Sequence, residues 1–472
     1  MSTHRDNPAF GHLCDAVAYR RLVVVTGSGV SAALARHPPG AAPLPTWYSV
    51  LTMLQARFAH LLQPVEKELE LLLDVKTAAS DYLIEAATLI RETVGVARYR
   101  EAVVELTAAP AGAHSALHDL IEDLDPLGII TFNYDMGHEN AYRHRHGPGA
   151  ARLQRAIYSD ERKLRAVLAG DFGSRFVLKA HGCISRPDTI VLDRASYREI
   201  MARQLGYRAF AHHVLARFSA LIVGFGLSDP DFEDLLQSFE ANFGGGIGHH
   251  VYIWKRGQRA DEQARALLLR RRYGLACIFV DDFDEVRTVI ADARANPGPR
   301  LRHAIAAALK RTEDVAQFRH HRRAAHVALA GLSAAGAKVA GDALKACVND
   351  RERSDLVRAE AAYSIGKLRP TPVGSAEFLL SRVTADAPSA IASSALAALL
   401  QLDPPVDLAM VHWMQAAQGL GSVCDALDRR SAAEATGVQM PRARKYLDAL
   451  LARWEATRAW GEGTPAVDPI EQ

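Results

Sequence analysis

The chain is poor in the residues that would staple it, export it or anchor it. Its five cysteines, Cys14, Cys183, Cys277, Cys347 and Cys424, lie far apart with no C-x-x-C pair, so neither a zinc ribbon nor a disulfide framework is indicated. That usage fits a reducing cytoplasm. No run approaches the roughly 18 uninterrupted apolar residues of a membrane span, and the N-terminus MSTHRDNPAFGHL has no apolar core of signal-peptide length. Excess charge is lacking too: 56 Lys and Arg against 54 Asp and Glu leave +2, which gives no global pull toward nucleic acid or a membrane surface. What 472 residues do supply is length for two domains, each able to bury a core without metal or disulfide.

The first informative stretch is Arg21 to Ser31, RLVVVTGSGVS, an apolar valine-rich run that stops at a Gly-Ser-Gly turn. Such a run predicts a buried parallel strand, and the glycines allow a tight turn and close approach to a phosphate at the start of a helix. Gly27 to Ala32 also fits the loose G-x-G-x-x-A pattern, which alone carries little. After it, Pro38, Pro39, Gly40, Pro43 and Pro45 break regular structure and predict a loop beside the ligand, ending at Trp47. From there to about residue 120 the periodicity is helical, as in Asp81 to Ile90. No second strand ending in an acid follows the glycines at about 20 residues, which counts against a dinucleotide-binding dehydrogenase.

Apolar runs then recur: Gly128 to Asp135 (GIITFNYD), Arg175 to Gly182 (RFVLKAHG), Ala220 to Pro230 (ALIVGFGLSDP) and Gly248 to Trp254. Cys277 to Val280 is expected to add a strand at the sheet edge. In a doubly wound sheet the polar residues at the carboxyl ends of such strands collect at one crevice. Gly27 to Ser31, Asn133 to Asp135, His181 to Gly182 and Gly224 to Asp229 should therefore converge.

T-G-S-G-V-S, T-F-N-Y-D, K-A-H-G and V-G-F-G-L-S-D-P-D-F, in that order over about residues 15 to 285, resemble the sirtuin superfamily, and more closely its bacterial branch found in antiphage defence proteins. The resemblance implies a modified Rossmann domain that binds NAD. It implies that Thr26, Gly27, Ser28, Gly29 and Ser31 hold the phosphates and nearby ribose, and that Asn133 and Asp135 sit near the nicotinamide ribose and carboxamide. His181 would be the catalytic base, with Asn133 as its catalytic partner. Gly224, Phe225, Gly226, Ser228 and Asp229 would line the adenosine side. Deacylating sirtuins carry a four-cysteine zinc module that nothing here supplies, and Leu44-Pro45-Thr46-Trp47 stands where they have a segment with an acid and an arginine. Both departures weaken a deacylase and leave NAD cleavage without a metal.

The same residues have plainer readings. His181 also suits a structural histidine with a satisfied partner. Asn133 and Asp135 also suit capping of the helix that MGHENAYR predicts. Trp47 and Tyr134 are more often packing residues than cofactor stackers, and His114 and His138 read as structural.

Beyond Asn296-Pro-Gly-Pro-Arg300 the sequence turns alanine-rich and helical. Arg322 to Leu332, Arg358 to Leu368 and Ala392 to Leu402 resemble one another, and their closing leucines are 368 − 332 = 36 and 402 − 368 = 34 residues apart. That period suits HEAT-like helix pairs, and an irregular bundle is the other reading. Seven Lys or Arg between Arg300 and Arg323 face Glu313 and Asp314, a run that is more often a solvated face than a nucleic-acid surface.

The expected protein is thus α/β over residues 1–295, a parallel sheet with a helical insertion at about 50–120, followed by an all-α domain over 301–472. The expected activity is NAD glycohydrolysis in the cytoplasm, by a homo-oligomer whose helical domain receives a protein trigger. A protein deacylase and a non-catalytic NAD or ADP-ribose module are the alternatives.

Overall fold

A computed structural model describes residues 4–34, 43–74, 80–147, 153–170, 174–226, 229–243, 250–257, 261–310, 315–384, 386–402, 420–434 and 443–462. The chain divides into two compact units, Met1–Arg294 and Ala295–Gln472.

The first unit is built on seven strands: β1 (Leu22–Thr26), β2 (Gly128–Thr131), β3 (Gln154–Ile157), β4 (Phe176–Lys179), β5 (Ser219–Val223), β6 (His250–Lys255) and β7 (Leu275–Val280). Their order is β3-β4-β2-β1-β5-β6-β7, and every paired neighbour runs parallel. β1 lies in the middle with all five residues buried, as a strand covered on both faces requires. The chain leaves β1 on one side to build β2, β4 and β3, then returns to its other side for β5. Thr26 therefore has Thr131 of β2 beside it on one flank and Val223 of β5 on the other. The connections diverge from that point, and the carboxyl ends of β1, β2 and β5 open onto a switch-point crevice.

β7 closes one edge of the sheet, where the sequence predicts it. β3 closes the other edge and has no clear signal in the sequence: Gln154 and Arg155 are half-exposed, so only Ala156 and Ile157 carry the apolar pattern. The fourth expected run begins in the structure at His250, and Gly248 lies outside the described residues.

The insertion between β1 and β2 is helical. Its longer helices are Trp47–Arg57, Ser80–Val94, Val96–Thr107 and Ala116–Asp123. Leu51, Leu54, Ala87, Ile90, Tyr99 and Val103 bury themselves in a core of its own, which Ile190 and Leu192 join from the segment after β4. That core sets the insertion as a wall over the strand ends.

The second unit is helical, including Pro299–Leu309, Val315–Ala330, Ala334–Asn349, Asp355–Ile365, Ser389–Leu399 and Ala443–Glu462. Leu332, Leu368 and Leu402 are all buried, and each sits two or three residues beyond the end of a helix. A Cβ on Gly366 would lie 2.7 Å from Ala398 Cα, so the turn after one helix seats directly on the next. Arg322 pairs with Glu360 at 2.6 Å and lies over the Tyr363 ring. Of the basic run, 311–314 lie outside the described residues.

Candidate functional site

A cavity of about 280 Å³ opens over the carboxyl ends of β1, β2, β4 and β5. Gly27, Ser28 and Ser31 reach it from β1, Asn133 and Asp135 from β2, His181 from β4, and Phe225, Gly226 and Asp229 from β5. The insertion supplies Trp47, Tyr48, Val50, Leu83 and Thr107 as the facing wall. Among the described lining residues the charged types are Asp135, His181 and Asp229, with no lysine or arginine.

The floor is held by bonds between strand ends. Asn133 Nδ2 donates to the Gly27 carbonyl at 2.8 Å, which fixes the amide across the β1 turn and leaves its Oδ1 as the free acceptor. Ser31 Oγ donates to Asp135 Oδ2, while Asp135 Oδ1 accepts the Gly137 amide at 2.8 Å. Asp135, one residue before the N-cap Met136, therefore holds the first amide of the helix Gly137–His146 and ties it to the glycine turn. Under it, buried Lys179 donates to the Asp135 carbonyl and lies 3.4 Å from Glu139.

Thr26, Gly29 and Gly224 stand behind the cavity. Thr26 Oγ1 bonds to His138 Nε2 at 2.9 Å. Gly29 donates its amide to the Gly224 carbonyl at 2.8 Å, and a Cβ on Gly29 would come 2.8 Å from Gly224 Cα. Gly224 itself has φ +63°, and a Cβ there would meet the Val30 amide at 2.6 Å. These glycines join the β1 and β5 turns by close backbone approach. With the Gly29 amide and the Ser31 hydroxyl proton both taken, the hydroxyl the turn presents to a ligand is that of Ser28. Ser228 lies outside the described residues.

His181 follows β4 and is 3% exposed. Its ring meets Phe132 edge-on at 4.6 Å and Tyr197 at 5.3 Å. Gly182, with φ +90°, turns the chain sharply against the Thr189 carbonyl, and the His181 carbonyl accepts the Val191 amide at 3.0 Å. Nε2 faces Asp229 Oδ1 at 3.6 Å and Asp231 Oδ2 at 3.5 Å. Burial works against an imidazolium here, but the two carboxylates outweigh it and lift His181 above its ordinary pKa. Burial pushes Asp229 upward in turn, and His181 opposes that shift.

His181, Asp229 and Asp231 are also spaced as ligands of a metal ion would be. Both oxygens of Asp229 and one of Asp231 already accept hydrogen bonds, while Asp231 Oδ1 has no hydrogen-bond partner among the described residues. Asp229 Oδ1 accepts the amides of Asp231 and Phe232, Asp229 Oδ2 accepts Tyr197 OH at 2.7 Å, and Asp231 Oδ2 accepts Tyr207 OH at 2.8 Å. A metal would compete with these donors at Asp229, whereas a histidine needs only the charge.

Sequence reasoning singled out Trp47 but not Tyr197, Asp231 or the rest of the insertion wall. Asp231 stands in the quoted D-P-D-F, where an acid in the first turn of a helix reads as a macrodipole partner. Tyr197 carries no local signal. Trp47 lines the cavity and stacks on Tyr197 with ring centroids 6.3 Å apart. Tyr134 also lines it, with its OH bonded to the Val191 carbonyl.

No curated protein matches the chain. Among the described residues no helix is long and apolar enough to cross a membrane. The profile of one family does match, over a span that starts at β2 and runs into β7, taking in Asn133, Asp135, His181 and Gly224 to Asp229 but not the β1 turn. Over residues 127–278 the chain carries a SIR2-like domain, the signature of NAD-utilising enzymes.

Proposed function

We propose that the protein is an NAD glycohydrolase, cleaving NAD to nicotinamide and ADP-ribose. The observation that carries the reading is the convergence of Asn133, His181 and the Gly27–Ser31 turn on one cavity within a SIR2-like unit. Breaking the bond between nicotinamide and ribose develops oxocarbenium character at the ribose carbon. The pyridinium leaves as a neutral base, so departure needs no general acid. What remains is to place the ribose, balance its charge and activate water. Asn133 Oδ1 orients a hydroxyl or the water, His181 takes the proton, and the acidic lining favours the cation.

The missing lysines and arginines bear on the diphosphate. Among the described lining residues its donors are hydroxyls and main-chain amides, chiefly at Ser28 because the Ser31 hydroxyl already donates to Asp135, rather than fixed charges. The scattered cysteines, all five free, speak against the zinc module of a deacylase, and we propose that the activity needs no metal. The resemblance to the antiphage branch supports a role in depleting NAD during infection. The helical second unit, with its recurring buried leucines, is proposed as a HEAT-like sensing or assembly domain.

Incubating the full chain with NAD tests the reading. Nicotinamide released without an acyl acceptor supports hydrolysis. Release only with an acylated peptide supports a deacylase, and binding without release supports a regulatory module.

A further inference from the structure

We propose that Asp229 and Asp231 are positioning residues for His181, a residue that lines the cavity: together they hold the proton on Nε2 and so leave Nδ1 as the atom that accepts a proton during NAD cleavage. This rests on the glycohydrolase reading and assigns a residue-level device to it.

The geometry selects the nitrogen. Nε2 is fully buried, has no hydrogen-bond partner, and points between two carboxylate oxygens at 3.6 and 3.5 Å. Those are ion-pair rather than hydrogen-bond separations. An Nε2 with two anions in front of it carries hydrogen, because a lone pair there would face only negative charge. In the neutral ring the lone pair then belongs to Nδ1.

The carboxylates are themselves held. Asp229 is fixed by Tyr197 OH and by two amides at the start of the helix Pro230–Phe243, and Asp231 by Tyr207 OH. Asp231 is completely buried and does not line the cavity, so it acts on the site through the histidine it faces. Among the described residues, the rings of Phe132 and Tyr197 meet it edge-on, and the charged groups acting on it are Asp229 and Asp231. Tyr197 lies well above its ordinary pKa through burial, so it stays neutral.

In the step this serves, water gives a proton to Nδ1 as its oxygen bonds to the ribose carbon. The bond from that carbon to the pyridinium nitrogen breaks, and its electron pair leaves with neutral nicotinamide. The imidazolium so formed sits between two anions, which lowers the cost of forming it, and it returns its proton to solvent.

The test is Asp231→Asn, which keeps the shape and an acceptor for Tyr207. In the full chain, with histidine labelled for NMR, His181 of the unsubstituted protein is expected to titrate above its ordinary value of about 6.5. The Asp231→Asn midpoint is expected about one unit lower or more. The acid limb of kcat/KM for NAD should move to lower pH by the same amount, and the plateau rate should drop at least about tenfold. Asp229→Asn carries the same readout, since asparagine also caps a helix, and serves if Asp231→Asn does not fold. An unsubstituted His181 midpoint at or below the ordinary value, or equal midpoints in protein and variant, overturns the proposal. If NAD is not cleaved at all, the glycohydrolase reading fails, while the titration still decides whether the carboxylates hold the histidine's proton.

Discussion

Asn133 Nδ2 donates to the carbonyl of Gly27 at 2.8 Å, so the carboxyl end of β2 is tied to the turn that ends β1. The bond spends the donor side of the amide on the protein and leaves the acceptor side for a ligand. Asn133→Ala removes both the tie and the acceptor. Turnover of NAD is expected to fall by about two orders of magnitude or more, and His181→Ala should do at least as much. Rates and melting temperatures of the two variants check this. Near-normal turnover in a folded variant would remove that residue from the proposed machinery.

The parts of this site that end strands were legible, and the parts that face them were not. A buried parallel strand must be apolar throughout, so LVVVT and GIIT announce themselves, and the first polar residues after them mark the crevice. β3 is a short edge strand with one half-polar end, and edge strands need no continuous apolar run. Trp47 and Tyr197 meet over the cavity although they lie far apart in the chain, and only helix packing brings them together. Local periodicity carries no record of such a pair. Asp231 was visible as an acid, but its direction is set by the rotation of the helix it starts.

Behind the β1 turn, His118 and His138 lie with ring centroids 4.7 Å apart. Burial pushes His118 down to about 4 and His138 well below its usual value, so both are neutral in the folded protein at pH 7. An unfolded histidine titrates near 6.5, so the unfolded chain binds more protons as pH falls through that value. For His118 the depressed folded pKa means stability that is full above about 6.5 and is lost progressively down to about 4, by up to about 1.4 kcal/mol per pH unit. Urea unfolding at pH 7.5, 6 and 5 should show the decline. His118→Gln should flatten it, and an unchanged slope in that variant would assign the acid sensitivity elsewhere.

Metal removal is expected to change nothing. The five cysteines are free and scattered, and the carboxylates beside His181 already accept hydroxyls and amides. Purified protein should contain no stoichiometric zinc, and EDTA should leave both the melting temperature and NAD turnover as they were. A bound ion whose chelation unfolds the first unit would reopen the deacylase reading.

Control is expected to come from the second unit. All the described cavity residues lie within Met1–Arg294, a compact unit with its own sheet and its own core. Residues 1–295 alone are therefore predicted to fold and to bind NAD. An enzyme that destroyed NAD without restraint would harm its own cell, so the activity needs a gate. The helical unit is the large element with no part in the proposed chemistry. A surface built from recurring helices can bind a partner, or a second copy, more tightly in one state of the enzyme than in another, and that difference in affinity is all that coupling requires. The isolated first unit should therefore turn over NAD at a rate at least about tenfold different from that of the full chain, equivalent to roughly 1.4 kcal/mol of coupling. Faster turnover would mean that the helices restrain the catalytic unit, and slower turnover that they assemble it. NAD turnover and molar mass in solution, measured for both proteins with and without an infected-cell extract, distinguish these. Equal rates and equal masses under every condition would leave the helical unit as a tether.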